Sequence, residues 1–258
     1  MIASIDADAA QALAAGGLLQ LVDGTWLMPG SQAEHGALRG TTATVDTDAI
    51  KALPHDTRAS RSIEVFANSN VKAALPIAVY DRAGFFSAPW VAWLMASHGA
   101  TVSVVRGEGE HGEPSTVNGA PLSSLADPSA MNAMRADVLA ALGTDTQIID
   151  GRGPGRFAGT EPEPREGCKS GHIPGSINLH YRDVRDGAGY RDFEDVGAIV
   201  KGKGIDLSKP IITTCGSGVT ASLLAVILQR LGACDVRVYQ GSWAEWGMDA
   251  ALPVETGP

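Results

Sequence analysis

Residues 210–221 read PIITTCGSGVTA and carry the clearest structural signal in the chain. An apolar, β-branched run ends at Cys215, and Gly216 and Gly218 follow it. Residues 221–231 then read ASLLAVILQRL, which is typical of a buried helix. The pattern predicts a strand, a glycine-rich loop and a helix, with the thiol at the carboxyl end of the strand. Open α/β sheets bind their ligands at that edge.

The loop after the strand favours a reactive thiolate at Cys215. Gly216 and Gly218 allow the backbone to turn several N–H groups towards one point. The N-terminus of the following helix adds partial positive charge at the same place. A cysteine that is merely packed between a strand and a helix needs no such loop. We therefore predict that Cys215 is a nucleophile.

Two chemistries use a cysteine that is held by backbone N–H groups. A cysteine phosphatase needs an arginine after five intervening residues, which binds phosphate through two hydrogen bonds. Ala221 occupies that position, and the loop has no lysine or arginine to balance a dianion. In sulfur transfer, a thiolate takes a sulfur atom, holds it as a persulfide and passes it on. A persulfide is a small anion for which N–H donors suffice, so the loop favours sulfur transfer.

The loop CGSGVTA resembles the active-site loop of the tandem-domain rhodanese family, specifically its 3-mercaptopyruvate sulfurtransferase branch. Further motifs match in the same order: IDGR at 149–152, GRFAGTEPEPR at 155–165, SGHIPGSIN at 170–178 and GSWAEWG at 241–247. The resemblance implies an α/β fold of two rhodanese-like domains, each a mostly parallel sheet with helices on both faces. It also implies that sulfur passes from 3-mercaptopyruvate through a Cys215 persulfide, with release of pyruvate. The acceptor would be a small thiol, thioredoxin or cyanide, and no metal or organic cofactor would take part.

The resemblance assigns donor binding to Arg156 and Arg165. In the family, the two arginines of this motif bind the carboxylate and the adjacent carbonyl of the donor. A planar guanidinium suits a 2-oxo acid because it donates two parallel hydrogen bonds. The alternative is that both are surface arginines paired with nearby glutamates, namely Glu161, Glu163 and Glu166. The persulfide would be held by loop residues, namely Gly216, Gly218, Val219 and Thr220.

The resemblance further implies a proton relay made of Ser217, His55 and Asp48. The Ser217 hydroxyl would orient the donor or move a proton, although serine is also a common turn residue. Asp48 and His55 lie in VDTDAIKALPH, residues 45–55. This segment resembles one in which an aspartate and a histidine approach the catalytic serine from the first domain. Here the segment is several residues shorter, and the alternative is a surface histidine in a loop.

The two halves of the chain repeat one another. LLQLVDG at 18–24 parallels TQIIDG at 146–151, and PIAVYD at 76–81 parallels PIITTC at 210–215. In this alignment Asp81 stands where Cys215 stands, so the first half lacks the nucleophile. We predict a degenerate rhodanese-like domain at residues 1–110, a linker at 111–128 and a catalytic rhodanese domain at 129–258.

Composition excludes several classes of protein. The net charge is −9 and no basic cluster occurs, which argues against nucleic acid as a partner. No apolar run has the length of a membrane span, and the acidic N-terminus does not read as a signal peptide. Three separated cysteines form neither a disulfide framework nor a metal-binding pattern, and they favour a reducing cytoplasm. Two alternatives remain: a thiosulfate:cyanide sulfurtransferase, and a non-catalytic rhodanese-like scaffold that binds a partner.

Overall fold

The computed structural model describes residues 1–113, 115–123, 125–187 and 189–258. They form two compact units, the first from Met1–Ser129 with Arg185–Tyr190, the second from Ala130–Val184 with Arg191–Pro258. The described part of residues 111–128 lies in the first unit. There Leu122 is buried, and its N–H donates to the carbonyl oxygen of Val71 at 2.8 Å.

The first unit contains a five-stranded parallel sheet with helices packed against it. Its strands are β1 (Ala3–Asp6), β2 (Gln20–Asp23), β3 (Thr41–Thr44), β4 (Ile77–Tyr80) and β5 (Val102–Arg106). Its helices are α1 (Ala7–Ala15), α2 (Thr47–Ala52), α3 (Arg58–Asn68) and α4 (Ala88–Ser97). The strand order is β1-β5-β4-β2-β3, which places β4 at the centre.

The second unit repeats this architecture. Its strands are β6 (Asn132–Ala133), β7 (Gln147–Asp150), β8 (Ile177–Asn178), β11 (Ile211–Thr214) and β12 (Val236–Tyr239). Its helices are α5 (Arg135–Ala141), α6 (Pro154–Ala158), α7 (Tyr181–Val184), α8 (Phe193–Gly202), α9 (Val219–Arg230) and α10 (Ser242–Trp246). The sheet is parallel, with the order β6-β12-β11-β7-β8, so the central strand β11 corresponds to β4. The predicted α/β fold of two similar domains, each built on a parallel sheet with helices, is confirmed.

Burial explains why the central strand and the helix after it have apolar sequences. All four residues of β11 are buried, as expected for a parallel strand covered on both faces. The helix α9 is buried along its length from Val219 to Leu228, which accounts for an apolar run without a polar face. It begins two residues before the run that predicts it, because Gly218 adopts a φ of 92° and ends the loop there.

A short hairpin interrupts, along the chain, the residues that form the second unit. Its strands are β9 (Arg185–Asp186) and β10 (Gly189–Tyr190), which pair antiparallel. The hairpin belongs to the first unit, where the Tyr190 hydroxyl lies 2.9 Å from Ser4 Oγ. Arg185 Nη2 donates to the Ala83 carbonyl oxygen at 3.3 Å. These side-chain contacts account for its place there.

No helix among the described residues combines the length and the apolar character that a membrane crossing requires.

Candidate active site

Cys215 lies directly after the central strand β11, at the carboxyl edge of the sheet. The predicted strand, loop and helix are confirmed by β11 and α9. The thiol is buried, with 2% of the residue exposed. Its Sγ accepts hydrogen bonds from the backbone N–H groups of Ser217, at 3.5 Å, and Gly218, at 3.2 Å. These donors stabilise negative charge on the sulfur.

The conformation of the loop depends on Gly218. Its φ of 92° lies in the left-handed region, and an added Cβ atom would lie 2.9 Å from the Gln240 carbonyl oxygen. Only glycine combines that conformation with such a close approach. Gly218 immediately precedes α9, so Val219 and Thr220 form the first turn of that helix. The predicted loop residues thus lie between the end of β11 and the first turn of α9.

Ser242 is a neighbour of the thiol that the sequence analysis missed. Its Oγ lies 4.0 Å from Cys215 Sγ, accepts the Cys215 N–H at 3.1 Å and donates to the Tyr239 carbonyl oxygen at 2.8 Å. The next two residues support the loop, because the Trp243 N–H donates to the Cys215 carbonyl oxygen and the Ala244 N–H to that of Gly216. The GSW motif at 241–243 marks this segment, but nothing local in it points to a thiol.

Arg156 and Arg165 both lie beside Gly216, the residue after Cys215. Arg165 Nη1 donates to the Gly216 carbonyl oxygen at 3.4 Å. Arg156 Nη2 lies 3.3 Å from the position that a Cβ atom on residue 216 would occupy. A larger residue at this position would press on the guanidinium. The structure thus brings together the two arginines for which the sequence predicts donor binding.

A buried charge network, also missed by the sequence analysis, supports Arg156. Arg152 donates from Nε and Nη2 to the carboxylate of Asp150, from Nη2 to the Gly171 carbonyl oxygen and from Nη1 to Glu163. Glu163 also accepts from Arg156. The sequence alternative was thus partly right, because Arg156 does pair with a glutamate, although a buried one.

Arg152 keeps its charge inside this network. Burial acts against the charged guanidinium, but Asp150 and Glu163 outweigh it and hold the pKa of Arg152 above its ordinary value. The guanidinium carbon lies 4.2 Å from the ring centroid of Trp243, which adds a cation–π contact. Because the backbone N–H of Trp243 also donates to the Cys215 carbonyl oxygen, the network and the thiol loop share one support.

The other two cysteines have different surroundings. Cys168 is partly buried, and its Sγ lies 3.7 Å from the Trp243 carbonyl oxygen. Burial, with a smaller contribution from the Glu163 charge, raises the pKa of the Cys168 thiol above its ordinary value. Cys234 is exposed, with Sγ near the Gly232 carbonyl oxygen. Cys168 is therefore a protonated thiol at neutral pH and a poor nucleophile.

Asp48 and His55 lie in the first unit and Ser217 in the second. Asp48 is exposed in the first turn of α2, and His55 is half-buried in the turn between α2 and α3. Arg58, which is buried, donates from Nη2 to the carbonyl oxygens of Lys51 and Leu53 at 3.3 Å. These bonds anchor the backbone just before His55. The role of Asp48 and His55 in a relay stays a prediction.

Asp81 follows the central strand of the first unit, as Cys215 follows that of the second. Its carboxylate accepts four backbone N–H groups at 2.7–2.9 Å, donated by Ala83, Phe86, Ser87 and Ala88. Burial raises the pKa of Asp81, while these donors act in the opposite direction. The first unit therefore has a carboxylate where the second has its thiol, as the repeat predicts.

Among the described residues, no group of three or more histidine, cysteine or acidic side chains is arranged to hold a metal ion.

The chain is similar to known proteins of one family. The family model of the rhodanese-like domain matches residues 134–249. The chain is 34% identical over 270 residues to the 3-mercaptopyruvate sulfurtransferase of Homo sapiens, covering 95% of this chain and 90% of that protein. It is 38% identical over 194 residues to the thiosulfate sulfurtransferase of Cricetulus griseus, covering 70% and 65%. The crystal structure of SseA from Escherichia coli, described as a 3-mercaptopyruvate sulfotransferase, superimposes with a TM-score of 0.72 at 25% identity, covering 94% and 99%.

Proposed function

Because the chain belongs to the tandem-domain rhodanese family of sulfurtransferases, in its 3-mercaptopyruvate branch, we propose that it takes sulfur from 3-mercaptopyruvate through a persulfide on Cys215. The observation that carries this proposal is the thiol loop. Its N–H groups point at Sγ, it contains no charged side chain, and two arginines lie beside it. A 2-oxo acid matches that combination, because its carboxylate needs the arginines while the transferred sulfur needs only N–H donors.

In the first half-reaction, the Cys215 thiolate attacks the sulfur of the donor. A sulfur–sulfur bond forms, the carbon–sulfur bond breaks, and its electron pair passes to carbon as the enolate of pyruvate. Arg156 and Arg165 hold the carboxylate and oppose the developing charge. The proton of the donor thiol reaches the enolate carbon, with Ser217 assisting the transfer, and pyruvate leaves.

In the second half-reaction, an acceptor removes the outer sulfur. The persulfide is held by the N–H groups of Ser217 and Gly218, in the place where they now meet Sγ. A thiolate, from a small thiol or reduced thioredoxin, attacks the outer sulfur and restores the Cys215 thiolate. Cyanide would react in the same way and leave as thiocyanate. We also propose a cytoplasmic location, which agrees with free cysteines at positions 168, 215 and 234.

Thiosulfate is the second candidate donor, favoured by the similarity to a thiosulfate sulfurtransferase. The uncharged loop argues against it, since thiosulfate is a dianion. Assays of both donors in parallel, with cyanide as the common acceptor, decide between them. A larger kcat/KM for mercaptopyruvate supports the proposal, and a larger value for thiosulfate contradicts it.

The two arginines are expected to select the donor. Lysine keeps the positive charge but loses the planar pair of donors, so Arg156→Lys and Arg165→Lys should each lower kcat/KM for mercaptopyruvate. The loss in transition-state binding should be roughly 1–3 kcal/mol. Thiosulfate turnover, measured on the same preparations, should change much less. Equal losses with both donors would mean that the arginines support the fold of the loop.

The relay is expected to depend on His55 and Ser217 together. His55→Ala should lower mercaptopyruvate turnover and change the pH–rate profile near the ordinary pKa of histidine, about 6.5. Ser217→Ala should cause a similar defect, and the double variant should be no worse than either single one, because members of one relay are not additive. Asp48→Asn should have a smaller effect in the same direction.

A matched control for this experiment is His111→Ala, which removes an exposed histidine from the same unit. It should leave both the rate and the pH profile unchanged. Additive losses in the double variant, or an unchanged profile in His55→Ala, would show that the first unit supplies no group to the reaction.

A further inference from the structure

Glu163 is a buried carboxylate that the proposed reaction does not use. Only 1% of its side chain is exposed, although it lies in a loop that is otherwise largely exposed. Its Oε1 accepts from Arg152 Nη1 at 2.8 Å and from Arg156 Nε at 3.0 Å, and its Oε2 accepts from Arg156 Nη2 at 2.5 Å. A buried carboxylate with this many charged donors holds their guanidinium groups in fixed positions.

The charges around Glu163 balance without the donor. Asp150 and Glu163 are the two carboxylates, and Arg152 and Arg156 are the two guanidinium groups that pair with them. Arg165 stands outside this group. It is exposed and forms no ion pair among the residues that the structure describes, and its Nη1 makes a 3.4 Å hydrogen bond to a backbone carbonyl oxygen. The two arginines beside Gly216 therefore differ in available charge.

We propose that Glu163 is a positioning residue that divides the work of the two arginines. It neutralises and orients Arg156, and it thereby leaves Arg165 to supply the charge that captures the carboxylate of the donor. This inference rests on the proposed 2-oxo acid donor. It assigns different roles to the two arginines, which the sequence motif they share does not tell apart.

The geometry of Arg156 suits it to the chemical step. Two of its nitrogen atoms, Nε and Nη2, already donate to Glu163, which leaves the N–H groups of Nη1 and one of Nη2 for a ligand. A guanidinium held on one edge cannot turn to follow a mobile carboxylate. It offers directed donors at a set position beside Gly216, which suits the carbonyl oxygen where enolate charge develops. Arg156 thus acts mainly on the chemical step, and Arg165 on binding.

The test compares kcat and KM for mercaptopyruvate in three variants. Arg165→Gln should raise KM by about 10- to 100-fold with little change in kcat, since it removes a charge used equally in binding and reaction. Arg156→Gln should lower kcat by about tenfold or more. Glu163→Gln should lower kcat by about tenfold without raising KM, because Arg156 then gains free charge and loses its orientation.

Glu161→Gln is the matched control for Glu163→Gln. It removes the same charge from the same loop, but Glu161 is exposed and pairs with no arginine among the described residues. Its kinetic constants should stay within about twofold of the wild type. A rise in KM together with a fall in kcat for Glu163→Gln would indicate general disorder of the loop and would overturn the inference. Equal KM and kcat effects at both arginines would overturn it as well.

Binding of pyruvate provides a measurement that needs no sulfur transfer. In calorimetric titrations, Arg165→Gln should weaken pyruvate binding by about tenfold, whereas Glu163→Gln should not weaken it. If Glu163→Gln fails to fold, the contrast between Arg165→Gln and Arg156→Gln still tests the division between the two arginines, and equal effects would overturn it. If mercaptopyruvate is not a donor but pyruvate binds with this pattern, the proposed function fails and the division between the arginines stands.

Discussion

Replacing Cys215 with serine should abolish sulfur transfer with every donor. Among the residues that the structure describes, Cys215 is the only cysteine whose sulfur accepts hydrogen bonds from backbone N–H groups. A serine hydroxyl would not ionise at neutral pH and cannot carry a transferable sulfur. Mass spectrometry after incubation with donor should show one added sulfur atom on the wild-type chain and none on Cys215→Ser.

Cys168→Ser and Cys234→Ser are the controls for this result. Burial keeps Cys168 protonated, and Cys234 is exposed far along the chain from the arginines, so both variants should keep most of the activity. A persulfide mapped to Cys168, or a mass increase that survives in Cys215→Ser, would show that the nucleophile had been assigned to the wrong residue.

Arg152→Met should destabilise the protein by about 3–5 kcal/mol, the usual cost of removing one partner from a buried ion pair. The substitution leaves Asp150 fully buried and takes one of two arginines from Glu163. It also removes the stacking partner of the Trp243 ring. Urea unfolding followed by tryptophan fluorescence measures the change in the free energy of unfolding.

Arg135→Met is the matched comparison for this loss of stability. Arg135 also pairs with a carboxylate, Asp249, at 3.0 Å, but 49% of its side chain is exposed. The loss there should stay below about 1 kcal/mol. If the two variants lose the same stability, the buried network does not hold the loop, and the positioning of Arg156 must have another source.

The features that could be predicted from the sequence are those with a local signal. The strand β11, the loop after it and the helix α9 follow one another directly, so hydrophobic period and two glycines were enough to predict them. Internal repetition in the sequence predicted that both units share one architecture, and the matching strand orders of the two sheets confirm it. Asp81 could be aligned with Cys215 for the same reason.

The positions of Ser242 and Glu163 in the site could not be predicted from the sequence. Ser242 is 27 positions from Cys215 along the chain, and only the return of β12 beside β11 brings the two together. Glu163 is one of three glutamates within six residues, namely Glu161, Glu163 and Glu166, and their composition does not show which one is buried. The hairpin of β9 and β10 belongs to the first unit and makes side-chain contacts there that no local sequence pattern predicts.

The sequence by itself indicated the order of the elements, the candidate nucleophile and the family, because each depends on residues that are neighbours along the chain. Tertiary structure alone decided which side chains meet the thiol and which charges are already paired. Distances between distant segments, and the burial that makes a carboxylate bind two arginines, arise only when the sheet and its loops pack. Arg156 and Arg165 are the same residue type in one sequence motif. They nevertheless differ in the charge that they can offer a ligand, because only Arg156 is paired with a buried carboxylate.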